Sequence, residues 1–384
     1  MSAVKSYQEQ GLFRQLRLVQ NATARGIQIA GRELVNLSSN DYLGLAHHAE
    51  LIEVARQALA DYGLSACSSR LISGHTQAHA ELEQELAEFF EAERALAFNC
   101  GYVLNLGVIS CLVGDEDVIF SDQLNHASIV DGCRLSRARV RIFPHRDLAA
   151  LEALVQEGNY RRRLIVTESL FSMDGDSAPL LALTELAQKY NAWLMIDEAH
   201  ALGTKGPQGK GLAHQQGVSS ASVQISMGTF GKALGCFGAF LVGKKELIDY
   251  LVNSCRPLIY STALPPILAA AAKRALKLLR KADDLRQRLN QNAKFLRQGL
   301  VGLGFNTLAG DSHIIPVIIG PPDPTKEAGR ILMDHGVYAP AIRPPTVPAD
   351  TGRIRCSLTA SHTEEDLGQV LYAFGEMGKK LRLI

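Results

Sequence analysis

Long hydrophobic runs, an excess of charge and an apolar leader are all missing from this chain of 384 residues. Because no run of about 18 or more apolar residues occurs, we expect no membrane-spanning helix. The formal net charge is +1, whereas a dedicated nucleic-acid-binding protein would need a basic excess. The stretch from Met1 to Gln8 lacks the apolar core of a secretory signal, so we expect a cytoplasmic protein.

Cysteine is present but is not arranged for cross-linking or for metal binding. The seven cysteines are scattered, odd in number and never spaced as a C-x-x-C pair. This usage suits a reducing compartment. We therefore expect neither a disulfide framework nor a metal site.

Apolar residues make up 47% of the chain, which is enough to build a sizeable core. Between about residues 95 and 243, short apolar strands alternate with helices. Such alternation predicts an α/β fold with a mainly parallel sheet covered by helices on both faces. The predicted strands are 95–98, 117–120, 140–143, 164–168, 193–197, 223–226 and 237–242, and the helices between them lie near 102–112, 127–135, 147–157 and 180–190.

The chain divides into three predicted parts. Residues 1–45 form an N-terminal segment, residues 46–275 a large domain, and residues 276–384 a smaller C-terminal α+β domain. Within residues 1–30 the sequence predicts a helix that carries the basic stretch 13–19, followed by a loop. In the outer two parts it also predicts helices at 325–336 and 363–380, and strands at 33–37, 313–319 and 353–358. Helices are also predicted at 51–62, at 79–90 and in one or two pieces over 265–302.

One lysine stands among small residues directly after a predicted strand. The stretch is Ser226-Met-Gly-Thr-Phe-Gly-Lys232-Ala-Leu-Gly235. A lysine in a glycine-lined turn can be aimed at a carbonyl for imine chemistry, although it can also be an ordinary surface residue. It does not belong to a phosphate-binding P-loop, because Ser226 stands where that loop needs glycine and Ala233 where it needs Ser or Thr.

A second anchor is Trp193-Leu-Met-Ile-Asp197-Glu-Ala-His200. A carboxylate that leaves an apolar strand, with a histidine three residues later, can hold two edges of one aromatic ligand. The letters Asp-Glu-Ala-His also spell a helicase box, but a helicase needs a P-loop, and none occurs here.

Four more segments follow strands or precede helices at places where a ligand can bind. Gly101 opens a predicted helix, where free N–H groups favour a phosphate, although the same pattern fits an ordinary turn. His126 can stack on a ligand or be a structural residue, and Ser172 can donate a hydrogen bond. The polar loop 68–75 can bind an anion or simply cap the next helix.

These features together match the needs of pyridoxal 5'-phosphate. Lys232 supplies an amine for its aldehyde, and Asp197 pairs with the pyridinium nitrogen. His200 reaches the phenolic oxygen, and helix starts hold the phosphate.

Three segments resemble the α-oxoamine synthases: Asp197 to His200, Ser226 to Lys232, and Ser38-Ser-Asn-Asp-Tyr-Leu-Gly-Leu45. The resemblance extends from about residue 13 to residue 360. It implies the aspartate-aminotransferase-like fold (fold type I), pyridoxal phosphate as the cofactor, and a homodimer with shared active sites.

Within this family, the segments 167–180 and Ala341-Ile-Arg-Pro-Pro-Thr-Val-Pro348 resemble the branch that works in biotin biosynthesis. That resemblance implies an acyltransferase that condenses L-alanine with pimeloyl-CoA or pimeloyl-acyl carrier protein. The products are 8-amino-7-oxononanoate, CO2 and the free thiol carrier. The alternative is a 2-amino-3-ketobutyrate CoA ligase or another glycine-using member of the family.

The resemblance also implies roles for single residues. Catalysis falls to Lys232, as the Schiff-base lysine, and to His126, Asp197 and His200. The implied cofactor contacts are Gly101, Tyr102, His126, Ser172, Asp197, His200, Thr229, Lys232, Ser261 and Thr262, the last two toward the phosphate of a second subunit. The implied substrate contacts are Arg14, Asn40, Ser73, His126, Arg343, Thr346 and Arg355, with Arg355 on the amino-acid carboxylate.

Overall fold

A computed structural model describes residues 2–10 and 12–384. Its contacts group the chain into two compact units. The larger unit contains residues 45–171 and 177–283. The smaller unit contains the N-terminal residues up to Gly44, the short segment 172–176 and residues 284–384. The segments at the two ends of the chain therefore belong to one unit.

Fourteen strands are present in the described residues. In chain order they are β1 (Asn21–Ala22), β2 (Gly26–Ile29), β3 (Arg32–Asn36), β4 (Arg94–Phe98), β5 (Val118–Asp122), β6 (Arg139–Phe143), β7 (Arg163–Glu168), β8 (Trp193–Asp197), β9 (Ile225–Thr229), β10 (Ala239–Gly243), β11 (Ile314–Gly320), β12 (Val337–Tyr338), β13 (Ala341–Ile342) and β14 (Gly352–Ser357).

The described chain also forms fourteen α-helices. They are α1 (Ser2–Glu9), α2 (Ala49–Tyr62), α3 (Gln77–Phe90), α4 (Gly101–Leu112), α5 (Ala127–Leu135), α6 (Leu148–Gln156), α7 (Leu180–Lys189), α8 (Leu212–Gln215), α9 (Lys245–Ser254), α10 (Arg256–Tyr260), α11 (Pro266–Leu279), α12 (Asp283–Gly302), α13 (Pro322–Asp334) and α14 (Glu364–Leu381). None of the described helices is both long enough and apolar enough to span a membrane.

The larger unit is built on a seven-stranded sheet in the order β4-β10-β9-β8-β7-β5-β6. All neighbours pair in parallel except β10, which runs antiparallel to both β4 and β9. Its central strands are continuous apolar runs because both faces are covered. In β7, for example, Leu164 and Val166 pack into one core cluster and Ile165 into the other. The predicted α/β class is confirmed.

The direction of β10 follows from the short connection that precedes it. Only residues 230–238 separate β9 from β10, whereas a parallel crossover needs a dozen or more residues. The predicted strand 223–226 was placed too early, since β9 continues to Thr229. Position 228 within this strand requires glycine, because a Cβ there would lie only 2.8 Å from the side chains of Leu202 and Phe240.

The smaller unit contains two sheets, in the orders β1-β2-β3-β12 and β11-β14-β13. The predicted helix at 13–19 is wrong, because this stretch has no regular secondary structure and α1 ends earlier, at Glu9. Leu16 and Leu18 are fully or largely exposed, at 105% and 82%, so the stretch has no apolar face to bury. Instead, Arg17 lies over the ring of Tyr338, 5.6 Å from its centroid.

His79 ties α3 to the loop that follows α10. Its Nδ1 accepts the backbone N–H of Thr76 at 3.2 Å, and its Nε2 lies 2.7 Å from the carbonyl oxygen of Leu264. The ring is fully buried. Burial, and to a smaller extent the charge of Arg70, lowers the pKa of His79 to about 4. The ring is therefore neutral in the folded protein, with its proton on Nε2.

This neutral, buried histidine predicts a loss of stability in mild acid. An unfolded histidine takes up a proton near pH 6.5, whereas folded His79 resists protonation down to about pH 4. The stabilisation is fully present above pH 6.5 and is lost as the pH falls toward 4, by about 2 kcal/mol between pH 7.5 and 5.0. We expect the urea-unfolding free energy of wild type to fall by that much more than that of His79→Gln.

The exposed His47 provides the control. The His47→Gln variant should follow wild type at both pH values. Equal pH dependence in wild type and His79→Gln would contradict the assignment of a neutral, buried His79.

Candidate active site

Three strands of the larger unit end at one edge of the sheet, either at a predicted site residue or shortly before one. Phe98 at the end of β4 and Thr229 at the end of β9 both pair with Ala239 of β10. Asp197, the last residue of β8, pairs with Met227 in β9. The carboxyl ends of β4, β8 and β9 therefore meet at the same edge, which is where ligands bind in open α/β sheets.

Helix α4 starts close against β9. A Cβ at Gly101 would lie 2.9 Å from Cγ2 of Thr229, so this approach requires glycine. Cys100, which precedes the helix, makes no side-chain hydrogen bond to its first turn. Oγ1 of Thr229 is buried and has no hydrogen-bond partner among the described residues. A helix start with uncapped N–H groups beside an unpaired hydroxyl suits a phosphate group.

The carboxylate of Asp197 is buried and held by two donors. The Nδ2 of Asn105 donates to Oδ2 at 3.0 Å, and the backbone N–H of Ala199 donates to Oδ1 at 2.9 Å. Each oxygen keeps a lone pair for a further donor. His200, three residues later, is also buried, and its carbonyl oxygen accepts from Oγ1 of Thr204 at 3.1 Å.

His126 caps the start of α5. Its Nδ1 accepts the backbone N–H of Ser128 at 3.2 Å and lies 2.8 Å from Oγ of the same residue. Although part of the ring reaches solvent, the surrounding protein lowers the pKa of His126. The charge of Asp197 opposes this effect and the charge of Lys232 adds to it. His126, Asp197 and Lys232 are thus close enough to influence one another.

Lys232 lies in the 230–238 loop and is half-buried. The loop is closed by hydrogen bonds from Phe230 N–H to the Gly238 oxygen at 2.9 Å and from Gly235 N–H to the Lys232 oxygen at 2.8 Å. Gly235 has a φ of +62°, and a Cβ there would lie 2.3 Å from the backbone nitrogen of Ala46. The small residues around the lysine therefore allow a tight turn packed against a neighbouring backbone.

Tyr102 and the predicted phosphate contacts lie nearer the surface. The exposed Tyr102 bonds through its hydroxyl to Asp131, and its ring meets that of His126 edge-on, with centroids 6.5 Å apart. Thr262 is exposed, although its backbone is fixed by a bridge to Ser69 and by the Nδ2 of Asn99, which donates to its oxygen at 2.9 Å.

Ser261 and Ser73 belong to the same neighbourhood of the larger unit. Ser261 is half-buried just before the bridged Thr262. Ser73 is exposed in a π-helical turn, Arg70–Gly74. A Cβ at Gly74 would lie 2.2 Å from the oxygen of Ser68, so the turn closes only with glycine there. Such turns are frequent at functional sites.

The smaller unit brings a second set of predicted residues together. The buried Arg355 donates from Nε to the oxygen of Ser172 at 2.6 Å and from Nη1 to Oγ of Ser357 at 2.6 Å, and Oδ1 of Asn40 lies 3.5 Å from Nη1. Its Nη2 has no partner among the described residues. Arg355 is thus held in place with one donor group unused.

Arg14 donates to Oγ1 of Thr346 at 3.2 Å. Burial lowers the pKa of the half-buried Arg343, and the nearby charge of Arg14 lowers it further, against the charge of Asp323. Two arginines and a hydroxyl therefore lie together in this unit. Repulsion between the two guanidinium groups favours an anionic ligand between or beside them.

The larger unit's residues fit pyridoxal phosphate as a cofactor. The helix start at Gly101 and the unpaired hydroxyl of Thr229 suit its phosphate, the held carboxylate of Asp197 suits its ring nitrogen, and Lys232 suits its aldehyde. The individual roles given to these residues, and to all the other predicted cofactor and substrate residues, remain predictions.

Two residues in this network, Asn105 and Ser128, were not predicted as site residues. Asn105 is buried in α4, and its Nδ2 donates both to Asp197 and to Oγ of Ser128 at 3.0 Å. Asn105 stood in the Asn99-to-Asn105 stretch that opens the helix, four residues after Gly101. A buried polar residue one turn from a predicted phosphate site was the available signal.

Comparison with known proteins places the chain in a family. Its sequence matches the aminotransferase class I and II family over residues 32–374. The 8-amino-7-oxononanoate synthase of Geobacter sulfurreducens is 46% identical over an alignment that covers 99% of this chain and 98% of that protein. The chain belongs to the 8-amino-7-oxononanoate synthase family. The predicted resemblance is thereby confirmed.

Solved structures agree with this family. The 8-amino-7-oxononanoate synthase of Francisella tularensis superposes with a TM-score of 0.80 at 28% identity, covering 91% of this chain and 99% of that one. A serine palmitoyltransferase from S. paucimobilis, solved with bound PLP-myriocin, superposes with a TM-score of 0.95 at 31% identity, covering 100% and 97%. The fold prediction is confirmed at full chain length.

The close approach of α4 to β9 yields a prediction about cofactor affinity. In Gly101→Ala the added methyl would lie 2.9 Å from Cγ2 of Thr229. Overpacking of this kind costs about 1–3 kcal/mol, so pyridoxal phosphate should bind roughly tenfold to a hundredfold more weakly. Titration with pyridoxal phosphate, followed by absorbance, measures the change in Kd.

Two further variants make this test specific. Adding Thr229→Ser removes the clashing methyl and keeps the hydroxyl, so it should restore most of the affinity. Gly114→Ala adds a methyl where no atom lies within 4 Å and should bind like wild type. A Gly101→Ala protein with wild-type affinity would rule out this cradle as the phosphate site.

Proposed function

We propose that this protein catalyses the decarboxylative condensation of L-alanine with a pimeloyl thioester in biotin biosynthesis. A C–C bond forms between the alanine α-carbon and the thioester carbonyl carbon, and the C–S bond breaks to release the thiol. The carboxylate then leaves as CO2, which gives 8-amino-7-oxononanoate. The acyl carrier is coenzyme A or acyl carrier protein.

One observation carries this proposal: end-to-end similarity to 8-amino-7-oxononanoate synthases. Relatives of this name from Geobacter sulfurreducens and Geobacter metallireducens are 46% identical over 99% and 98% of the chain. The site supports it, because the larger unit holds an amine, a buried carboxylate and an uncapped helix start, which are the kinds of group that pyridoxal phosphate requires.

When bound, pyridoxal phosphate supplies an electron-accepting ring that stabilises the carbanions formed by loss of the alanine α-proton and of CO2. Nζ of Lys232 would hold the cofactor's aldehyde at rest and would move the α-proton. The carboxylate of Asp197 would accept a hydrogen bond from the protonated ring nitrogen. His126, whose Nδ1 is already occupied by Ser128, presents Nε2–H as a donor to the thioester oxygen, where negative charge develops.

Arginines of the smaller unit bind the anionic parts of the substrates. We assign the alanine carboxylate to Arg355, because its Nε and Nη1 are fixed by Ser172 and Ser357 while Nη2 remains available. We assign Arg14, Arg343 and Thr346 to the acyl substrate, whose free carboxylate suits a pair of arginines. The remaining contacts proposed with substrate are Asn40 and Ser73.

We also propose a homodimer with shared active sites, working in the cytoplasm. Ser261 and Thr262 are the residues proposed to reach the phosphate bound by a second copy. The exposure of Thr262 on a loop whose backbone is held by Ser69 and Asn99 supports this role.

A serine palmitoyltransferase activity is the second candidate. The observation that favours it is the higher TM-score of the S. paucimobilis enzyme, 0.95 against 0.80. Sequence weighs against it, because identity is 31% to that enzyme and 46% to the synthase from Geobacter sulfurreducens. Similar backbones in one family can carry different substrates.

Thiol release by the protein loaded with pyridoxal phosphate tests the function. L-alanine, glycine and L-serine are each combined with pimeloyl-CoA, pimeloyl-acyl carrier protein, succinyl-CoA, acetyl-CoA and palmitoyl-CoA. We expect release only with L-alanine and a pimeloyl thioester. Release with glycine and a shorter acyl-CoA, or with serine and palmitoyl-CoA, would overturn the substrate assignment. Lys232→Ala is the control and should lose the activity, because it lacks the only amine assigned to proton transfer.

The assignment of Arg355 predicts a change confined to alanine binding. Arg355→Lys keeps a positive charge but loses the fork that fixes the side chain and reaches a carboxylate. Loss of one charged hydrogen bond is worth about 1.5–3 kcal/mol, so KM for L-alanine should rise roughly tenfold to a hundredfold while KM for the thioester changes little. Steady-state thiol release measures both constants.

Arg297→Lys provides a matched control in the same unit. Arg297 is also partly buried and donates to the oxygens of Thr307 and Ile314, but has no assigned substrate. This variant should lose stability without changing either KM. An unchanged KM for L-alanine in Arg355→Lys would rule out the assigned role.

A further inference from the structure

Asn105 donates twice from one amide nitrogen, and each hydrogen bond leads to a residue of the proposed site. Nδ2 donates to Oδ2 of Asp197 and to Oγ of Ser128, both at 3.0 Å. Oγ of Ser128 lies 2.8 Å from Nδ1 of His126. A single side chain therefore connects the carboxylate of Asp197 with the imidazole of His126.

The direction of every hydrogen bond in this series, from Asp197 to His126, follows from which atoms can donate and which can only accept. The carboxylate of Asp197 can only accept, so the amide of Asn105 must present its nitrogen there. The same nitrogen donates to Ser128, which leaves the hydroxyl hydrogen of Ser128 free to point at His126. Nδ1 of His126 also accepts the backbone N–H of Ser128, so Nδ1 carries no hydrogen and a neutral ring must bear its proton on Nε2.

This arrangement destabilises the folded protein, because it leaves one buried polar atom without a hydrogen-bond partner in the part of the chain that the structure describes. Asn105 is 1% exposed, and its Oδ1 is buried without a hydrogen-bond partner among the described residues. Such an unpaired oxygen is destabilising, and natural proteins keep few of them. Its neighbours Leu104 and Val108 are fully buried apolar residues, so the helix surroundings favour an apolar side chain at this position.

We propose that Asn105 is a positioning residue of the active site, which fixes the orientation of the Asp197 carboxylate and, through Ser128, the Nε2–H tautomer of His126. This inference rests on the proposed function, because Asp197 and His126 act there on the cofactor and the thioester. Asn105 itself contacts neither reacting group. Loss of the amide should disturb both residues, whereas loss of the Ser128 hydroxyl should disturb His126 alone.

The first test uses the unaltered protein loaded with pyridoxal phosphate. Protein labelled with ¹⁵N-histidine is examined by NMR at pH 7.5, and the His126 signals are assigned from their absence in His126→Asn. We expect the proton on Nε2 and an unprotonated Nδ1 that accepts hydrogen bonds. A His126 ring protonated on Nδ1 would overturn the proposal, and this test does not depend on whether any Asn105 variant folds.

The second test compares three variants by the absorbance of the bound cofactor and by kinetics. In Asn105→Ala we expect an altered pH dependence of the absorbance and a kcat reduced roughly tenfold to a hundredfold, with KM for L-alanine changed less than about threefold. In Ser128→Ala we expect wild-type absorbance and a reduced kcat, because the bond from Asn105 to Asp197 remains.

Asn292→Ala is the matched control. Asn292 is likewise a buried asparagine whose Nδ2 donates twice, to the oxygens of Thr359 and His362 at 3.0 Å, but it has no link to Asp197. It should lose stability without changing the absorbance or kcat. If Asn105→Ala matches Asn292→Ala in both readouts, Asn105 is only structural and the proposal is overturned. A wild-type protein that shows no cofactor absorbance would instead overturn the proposed function, and this inference with it.

Discussion

Parallel pairing of β7, β8 and β9 is the constraint on which the proposed site depends. Parallel strands all point the same way, so residues that follow or end them collect at one edge of the sheet. Asp197 and Thr229 end their strands there, and Gly101 follows β4 at the same edge. The short connection 230–238 then returns the chain as the antiparallel β10 and keeps Lys232 at that edge. Chemistry-bearing residues far apart in sequence thus come together through backbone pairing.

The same edge holds polar groups that the fold leaves unpaired. Oγ1 of Thr229 and Oδ1 of Asn105 are both buried without a partner among the described residues. In an interior where nearly all buried polar atoms are hydrogen-bonded, such exceptions need an explanation. For Thr229 we propose the phosphate of the cofactor as the explanation, since it would accept the hydroxyl hydrogen. For Asn105 the explanation is the orientation of its nitrogen, which two acceptors in the site determine.

Sequence patterns predicted most of the sheet and helices of the larger unit, and Asp197 and Thr229, two of the residues predicted for its site, lie at one edge of that sheet. The strand 193–197 and the helix 127–135 were predicted with their observed bounds, because apolar runs and turn residues mark them clearly. The antiparallel β10 could not be predicted from its composition, since direction depends on the length of the connection before it. Asn105 escaped because α4 is apolar around most of its circumference, so that periodicity does not reveal which side faces a ligand. The stretch 13–19 was assigned to a helix from local composition, whereas its arginines are held in an irregular chain by residues more than 300 positions away.

The smaller unit also has a consequence for the order in which the protein can be completed during synthesis. Strand β3 lies near the start of the chain, yet it pairs in parallel with β12, at Val337 and Tyr338. Until those residues leave the ribosome, β3 has one unpaired edge, and such edges invite pairing with other chains. All strands of the seven-stranded sheet precede residue 244, so that sheet can form earlier. Strand β3 is thus made early but completes its pairing late, and until then its open edge is available for unwanted association.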